Sequence, residues 1–332
     1  ALMMTQTGGG CRATNYIGFI RRALEKAGYP NIPVISLNLS GLEDNLGFKI
    51  SANLVIRLLY AALFGDIFMR CIYRMRPYEI TPGSVEEVHQ KWLARCNEFI
   101  TRKHMNFFTY QKMCREMIRE FDAIPIHEER KPRVGIVGEI LVKFAPAANN
   151  YLVDLLEHEG AEAVVPDLVD FMYYCFYNQI YKAEHLGTSK KTARNSKLGI
   201  TGMDFVRSCS AKALKKSKHF TPPSNIYELV KHASEIVSIG NQTGEGWFLT
   251  GEMLELIHAG TANIVCCQPF GCLPNHVVGK GVIKALRKKY PTSNVVAIDY
   301  DPGASEVNQL NRIKLMLSTA NKNLKKEQNI TK

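Results

Sequence analysis

Asn263-Ile-Val-Cys-Cys-Gln-Pro-Phe-Gly-Cys-Leu-Pro-Asn-His-Val277 is the stretch on which the reading of the chain turns. It opens as a short apolar run of strand character, breaks into a Pro/Gly loop, and gives way to a helical pattern. Three of the nine cysteines, Cys266, Cys267 and Cys272, fall within seven residues, with His276 just behind. In an open α/β sheet the carboxyl end of a strand is where sites are built. An active centre is expected here first.

On either side of this stretch the C-terminal half alternates strand and helix. Arg133 to Gly138 is a β-branched strand, Ala163 to Pro166 a second, Asn263 to Gln268 a third and Asn294 to Ile298 a fourth. Helical spacing covers Leu168 to Tyr181, Met203 to Lys215, Ile226 to Ile236, Phe248 to His258 and Val277 to Tyr290, and Pro302 opens the last helix. Strands separated by ten or more helical residues pair in parallel through right-handed crossovers. The expected class is α/β, with a Rossmann/flavodoxin-like, doubly wound parallel-sheet domain over residues 133–320.

Upstream, residues 1–47 read as the C-terminal part of a first α/β domain, with a glycine loop, a helix from Cys11 to Lys26 and a strand from Ile32 to Leu39. Residues 48–121 form a helical block. Pro77 and Pro82 break it, and Glu86 and Glu87 sit in the first turn of its second helix, where acidic groups suit the dipole. Residues 122–132 are charged and hold Pro125 and Pro132, as a linker does. Residues 321–332 read as a disordered tail. The chain opens inside an apolar run, and the expectation is a piece of a longer protein.

With 46% apolar and 22% charged residues in 332, the chain can bury a core, or two. It has no uncharged apolar run of about 18 residues, so a membrane span is not expected, and its first residues lack the basic region of a signal peptide. An odd set of nine cysteines then points to reduced thiols in a cytoplasmic protein, some of them metal ligands. The net charge of +11 gathers in Lys190 to Lys197 and Lys212 to Lys218. Without interleaved aromatics these runs read as a solvated face, or a dock for a phosphorylated ligand or acidic partner, rather than a nucleic-acid site.

Strand ends converge on one rim, which gathers Glu139, the cysteine loop and Asp299 to Asp301. Glu139 is either a site acid or a cap. Glu245, between two glycines in Thr243-Gly-Glu-Gly-Trp-Phe248, either points into a site or caps the next helix. His276 is a site acid or a packing residue. Cys267, inside the strand, could be core, whereas a cysteine between two prolines gains little from packing and suits thiolate ligation. Gly8, Gly9 and Gly10 can aim backbone N–H groups at one point ahead of Cys11 and Arg12, a setting that favours a thiolate or a phosphate. Cys71, Cys96, Cys114, Cys175 and Cys209 lie on helical apolar faces and read as buried structural thiols.

Residues 8–16 (Gly-Gly-Gly-Cys-Arg-Ala-Thr-Asn-Tyr), 134–140, 243–253, 266–276 and 299–312 together resemble the 2-hydroxyacyl-CoA dehydratase-like superfamily. The likeness is greatest to the dehydratase-like region of large fused CoA-substrate-specific enzyme activases. That resemblance implies an iron–sulfur cluster, [4Fe–4S] or double-cubane, held by thiolates between two α/β domains. Cys11, Cys266 and Cys272 carry over as ligands, with Cys267 secondary, and Gly9, Gly10, Cys11 and Arg12 as the cofactor-binding turn. It implies radical dehydration or reduction of a CoA thioester or small substrate, with electrons from an actin-like ATPase activase. ATP would enter only through that partner or an absent domain, because no actin-type nucleotide motif is visible here. Such clusters need at least three thiolates per cubane, and the superfamily's first cysteines are expected upstream of this stretch, so the cage here is expected to be incomplete, and a homodimer stays open. The alternative is a non-catalytic binding or regulatory domain whose cysteines are structural or bind zinc.

Overall fold

The computed structural model describes residues 1–6, 11–37, 50–301 and 303–330. Gly8, Gly9, Gly10 and Pro302, and the side chain of Arg12, lie outside that description.

Four parallel strands make the main sheet: β3 (Arg133–Gly138), β4 (Glu162–Val164), β5 (Asn263–Pro269) and β6 (Asn294–Tyr300), in the spatial order β4-β3-β5-β6. A separate parallel pair, β1 (Leu2–Thr5) and β2 (Val34–Leu37), flanks α1 (Tyr16–Lys26). The fold class is therefore mixed α/β with a parallel sheet. Chain order reverses direction between β3 and β5, and at such a point the loops leaving two neighbouring strands part and leave a crevice.

Both faces of the main sheet are covered, which explains why its strands are almost wholly apolar. On one side α5 (Ile140–Phe144), α6 (Leu152–His158) and α12 (Glu306–Ile330) supply Val142, Leu152, Leu156, Ile313 and Met316 against Ile136, Val265, Cys267 and Ile298. On the other, α10 (Trp247–His258) and α11 (Ile283–Lys289) bring Met253, Leu256 and Leu286 onto Ile264, Cys266 and Val295. Strand periodicity thus sends adjacent Cys266 and Cys267 to opposite cores.

The helical part holds α2 (Ala52–Met75), α3 (Ser84–Thr101), α4 (Phe107–Asp122), α7 (Leu168–His185), α8 (Lys190–Leu214) and α9 (Ile226–Ala233). Some starts have a local cause, as where the Asn106 side chain accepts from the Phe108 and Thr109 N–H groups and begins α4. These helices share one core that takes in Trp92 of α3, Tyr173 of α7 and Trp247 of α10. The helical block of residues 48–121 therefore does not close on itself. Asp66 of α2 accepts the Leu168 and Val169 N–H groups at 2.7 and 3.0 Å, capping α7 from another helix. Asp167 is gripped by Arg70 at 2.5 Å and Arg207 at 2.8 Å. Burial works against its charge, but the two guanidiniums outweigh that and hold its carboxyl below the usual range.

Several expectations are corrected. Residues 122–132 are pinned, with Ile124 in the shared core and Ile126 bridged to Glu79, because two isoleucines outweigh the surrounding charge. Up to Ile330 the expected disordered tail continues α12, whose buried Ile313, Met316, Leu317 and Ala320 anchor it. Lys190 to Lys197 is the opening of α8 rather than its flank. Val277 to Tyr290 divides into a π-helical turn, Asn275–Lys280, and α11. Cys175 is exposed, while Cys71, Cys96, Cys114 and Cys209 are buried. Among the described residues no helix is long and apolar enough to cross a membrane.

Candidate metal centre

The crevice between the carboxyl ends of β3 and β5 is closed by backbone. Gly138 has φ +143°, and a Cβ there would lie 1.9 Å from the Cys267 carbonyl oxygen. Only glycine lets the strands come this close, and the Glu139 N–H then donates to that same oxygen at 2.9 Å. The Glu139 side chain takes the capping role, accepting the Val142 N–H at 2.9 Å at the start of α5. It also accepts a hydrogen bond from the Tyr16 phenol, which reaches across from α1. Burial raises the Glu139 carboxyl above its usual range.

Glu245 faces the crevice and does not cap α10. It stands between Gly244 at φ +58° and Gly246 at φ +48°, two left-handed positions that turn the loop inward. The Tyr174 hydroxyl ties this loop down by donating to the Gly244 carbonyl at 2.7 Å. The Glu245 Oε1 accepts the Ile140 N–H at 3.4 Å, and Oε2 accepts Asn275 Nδ2 at 3.3 Å. Burial, with the nearby charges of Glu139 and Cys11, pushes its carboxyl up to about 8.

Cys11 precedes the short 3-10 turn Arg12–Asn15, and Cys272 sits in the loop after β5. Both are buried. The Cys11, Glu245 and Cys272 donor atoms all lie within 4.8 Å of one another, the only such group of three found among the described residues. Cys272 is held toward thiolate by a hydrogen bond from Cys11, against the cost of burial, with further donors in the backbone and side chain of Asn275. A depressed thiol thus stands beside a raised carboxyl, and metal ligands of both kinds bind in their deprotonated forms.

The other candidates fall outside this group. Cys266 lies in the sheet core beneath α10 and α11, where burial pushes its thiol up to about 12. Cys267 packs on the opposite face with Tyr300. His276 uses Nδ1–H to donate to the Cys272 carbonyl at 2.8 Å and stands 3.7 Å from Asp299 by its other nitrogen, so it braces the loop. Asp299 accepts Gln268 Nε2 at 2.6 Å, and Asp301 accepts the Gly303 N–H at 2.9 Å. Reading the sequence by type and spacing missed Tyr16, Tyr174 and Asn275. Asn275 carried a signal, lying three residues after Cys272 and so able to share its face of a turn.

The donor set joins two thiols and a carboxylate, which suits iron or zinc. A four-iron cluster is usually held by four thiolates, each on its own iron. The described residues bring two thiols to that task, with Glu245 as a third attachment point. Along the loop, Phe270, Leu273 and Val277 are exposed. No family model, curated protein or solved structure matches the chain.

Proposed function

We propose that the chain is an iron–sulfur redox component of the 2-hydroxyacyl-CoA dehydratase or double-cubane reductase type. The observation that carries this reading is the meeting of Cys11, from the β1–α1–β2 segment, with Cys272 and Glu245 at the point where strand order reverses. The β4-β3-β5-β6 order with helices on both faces supports a Rossmann/flavodoxin-like domain, in which ligands bind at that crevice. Cys11 and Cys272 would hold two corners of the cluster and Glu245 a third. When bound, such a group stores and passes a single electron at low potential. The protein's own part is to keep water out with buried walls, to hold Cys272 ready as thiolate, and to carry on Glu245 a proton that binding displaces.

On this reading the electron comes from an ATP-dependent activase and is spent on a CoA thioester or small substrate in the cytoplasm. The basic face of α8 is the proposed dock for that activase or for CoA phosphates. A second reading has its own support. Donor atoms within 4.8 Å of each other suit ligands sharing one ion better than thiolates on separate irons, as in a zinc site of a non-catalytic domain.

Purification without oxygen, followed by iron, sulfide and zinc analysis and a visible spectrum, tests the two. The iron–sulfur reading expects a coloured protein whose iron and sulfide fall by half or more in Cys11→Ser and in Cys272→Ser and hold in Cys175→Ser. A colourless, iron-free protein that retains zinc would sink it. Equal losses in all three variants would point to general destabilisation.

A further inference from the structure

We propose that Asn275 is a fourth donor of this centre, its amide turning over so that Oδ1 joins Cys11, Cys272 and Glu245 around one divalent cation. The proposal rests on the second reading above, that Cys11, Glu245 and Cys272 share one ion, and adds to it the residue that completes a four-coordinate shell.

Three observations carry it. Asn275 is 0% exposed, in the first residue of the π-helical turn. Its Nδ2 lies 3.3 Å from Glu245 Oε2 and 3.3 Å from Cys272 Sγ, so it touches two of the three donor atoms at once. Its Oδ1 has no hydrogen-bond partner, although buried carbonyl oxygens are nearly always paired. That oxygen faces the niche over Gly279, 3.9 Å from where a Cβ would sit, and the Cys266 thiol is 3.1 Å from the same point.

An amide keeps its shape when rotated by half a turn, so nitrogen and oxygen can trade places without repacking. Rotation would put Oδ1 3.3 Å from the thiolate and the carboxylate. Bonds of about 2.0–2.3 Å around a tetrahedral ion space their ligand atoms by roughly 3.3–3.8 Å, so this position fits. The displaced NH2 would turn toward the niche over Gly279 that Oδ1 now faces. Without a cation, N–H groups facing the Cys272 sulfur and an oxygen of Glu245 are the satisfied arrangement. With one, those protons would confront positive charge, and the carbonyl is the end that binds. With the amide turned over, the donor set becomes two sulfurs and two oxygens, and the buried Oδ1, otherwise unpaired, gains its partner in the cation.

The test uses the full chain, kept reduced, stripped by a chelator and titrated with Co2+. The thiolate-to-cobalt charge-transfer band reports the cysteines, and the intensity of the visible d–d bands reports coordination number. Wild type should show the strong d–d intensity of a four-coordinate ion. Asn275→Ala should keep the charge-transfer band, lose d–d intensity as water enters, and bind at least about tenfold more weakly. Asn275→Leu, which fills the amide's volume, carries the same expectation if the alanine variant does not fold. Asn275→Asp, with oxygen in both positions, should keep the four-coordinate spectrum. Wild-type affinity and intensity in the alanine or leucine variant would overturn the proposal while leaving the three-donor centre standing. A wild type with no thiolate–cobalt band would remove the centre itself, and this proposal with it.

Discussion

A methyl group on Gly246 would sit 2.1 Å from the Asn241 carbonyl oxygen and 2.7 Å from the Tyr174 hydroxyl, at a φ of +48°. Backbone and a buried phenol cannot both give way, so Gly246→Ala should cost well over ~1 kcal/mol and swing Glu245 off the crevice. Chemical denaturation and bound-metal analysis of the variant check both effects, and an alanine protein with wild-type metal content would refute the inward aim of this loop. A second residue-scale effect concerns Lys143 and Glu252, which pair at 2.6 Å with both side chains fully buried. Burial, only partly offset by Lys143, pushes the Glu252 carboxyl up to about 7. An acid that holds its proton more tightly when folded contributes stability in full below the unfolded value, near pH 4.5. That contribution is lost as pH rises through 7, by roughly 3 kcal/mol. Glu252→Gln keeps the uncharged shape and should gain on the wild type by about that amount between pH 4 and 8. Parallel stability curves for the two proteins would count against it. Neither effect was legible in the sequence, since each depends on a partner far along the chain. Cys266 and Cys272 show the same limit: they look alike as letters, and only strand pleat against loop decides that one is core and the other faces Cys11.

Elements were more legible than residues, because periodicity and caps are local. The capping box of α9 is an example, with the Asn225 side chain accepting the Glu228 N–H at 3.0 Å and Glu228 accepting the Asn225 N–H at 3.3 Å. Asn225→Ala should cost about 1 kcal/mol in urea denaturation, with no change in bound metal. A loss of metal there would mean that α9 supports the centre, a role the structure does not give it. The four main strands and the parallel pairing followed from apolar runs set between helices. What escaped was the start of α8, since lysine-rich spacing shows no apolar face until Ala193 and Ile200 are buried by neighbours. The π turn escaped as well. Its extra residue per turn is a compromise with tertiary contacts that no local propensity announces.

At the scale of the molecule, packing crosses the expected boundaries between a helical block, a linker and a sheet domain: one core joins α2, α3 and α4 to α7, α8, α9 and Ile124, while the sheet keeps a core on each face. Composition suggested separate bodies because 122–132 is charged and proline-bearing, while the contacts that override it come from Ile124, Asp66 and Asp167. Helix α10 belongs to both sides, with Trp247 and Phe248 in the helical core and Met253 and Leu256 against the sheet. Unfolding should therefore be concerted. Trp92→Phe and Trp247→Phe each leave one buried indole as reporter. Their fluorescence midpoints in guanidinium should coincide with each other and with far-ultraviolet circular dichroism. An earlier midpoint for the Trp92 signal would show that the helices come apart alone.

The π-helical turn Asn275–Lys280 also fixes the aim of the loop. A π turn closes its hydrogen bonds one residue later than an α-helical turn, and such turns occur frequently at functional sites. Cys272, just ahead of the turn, is set against Cys11, and within the turn the Val278 carbonyl accepts from Thr250 at 2.7 Å. Losing one residue of the turn would restore a regular helix with better backbone hydrogen bonds and turn Asn275 away from its neighbours by about a quarter of a revolution. A regular helix there would be better hydrogen-bonded but would part Asn275 from Glu245 and Cys272, so the irregular turn is what keeps the amide between them.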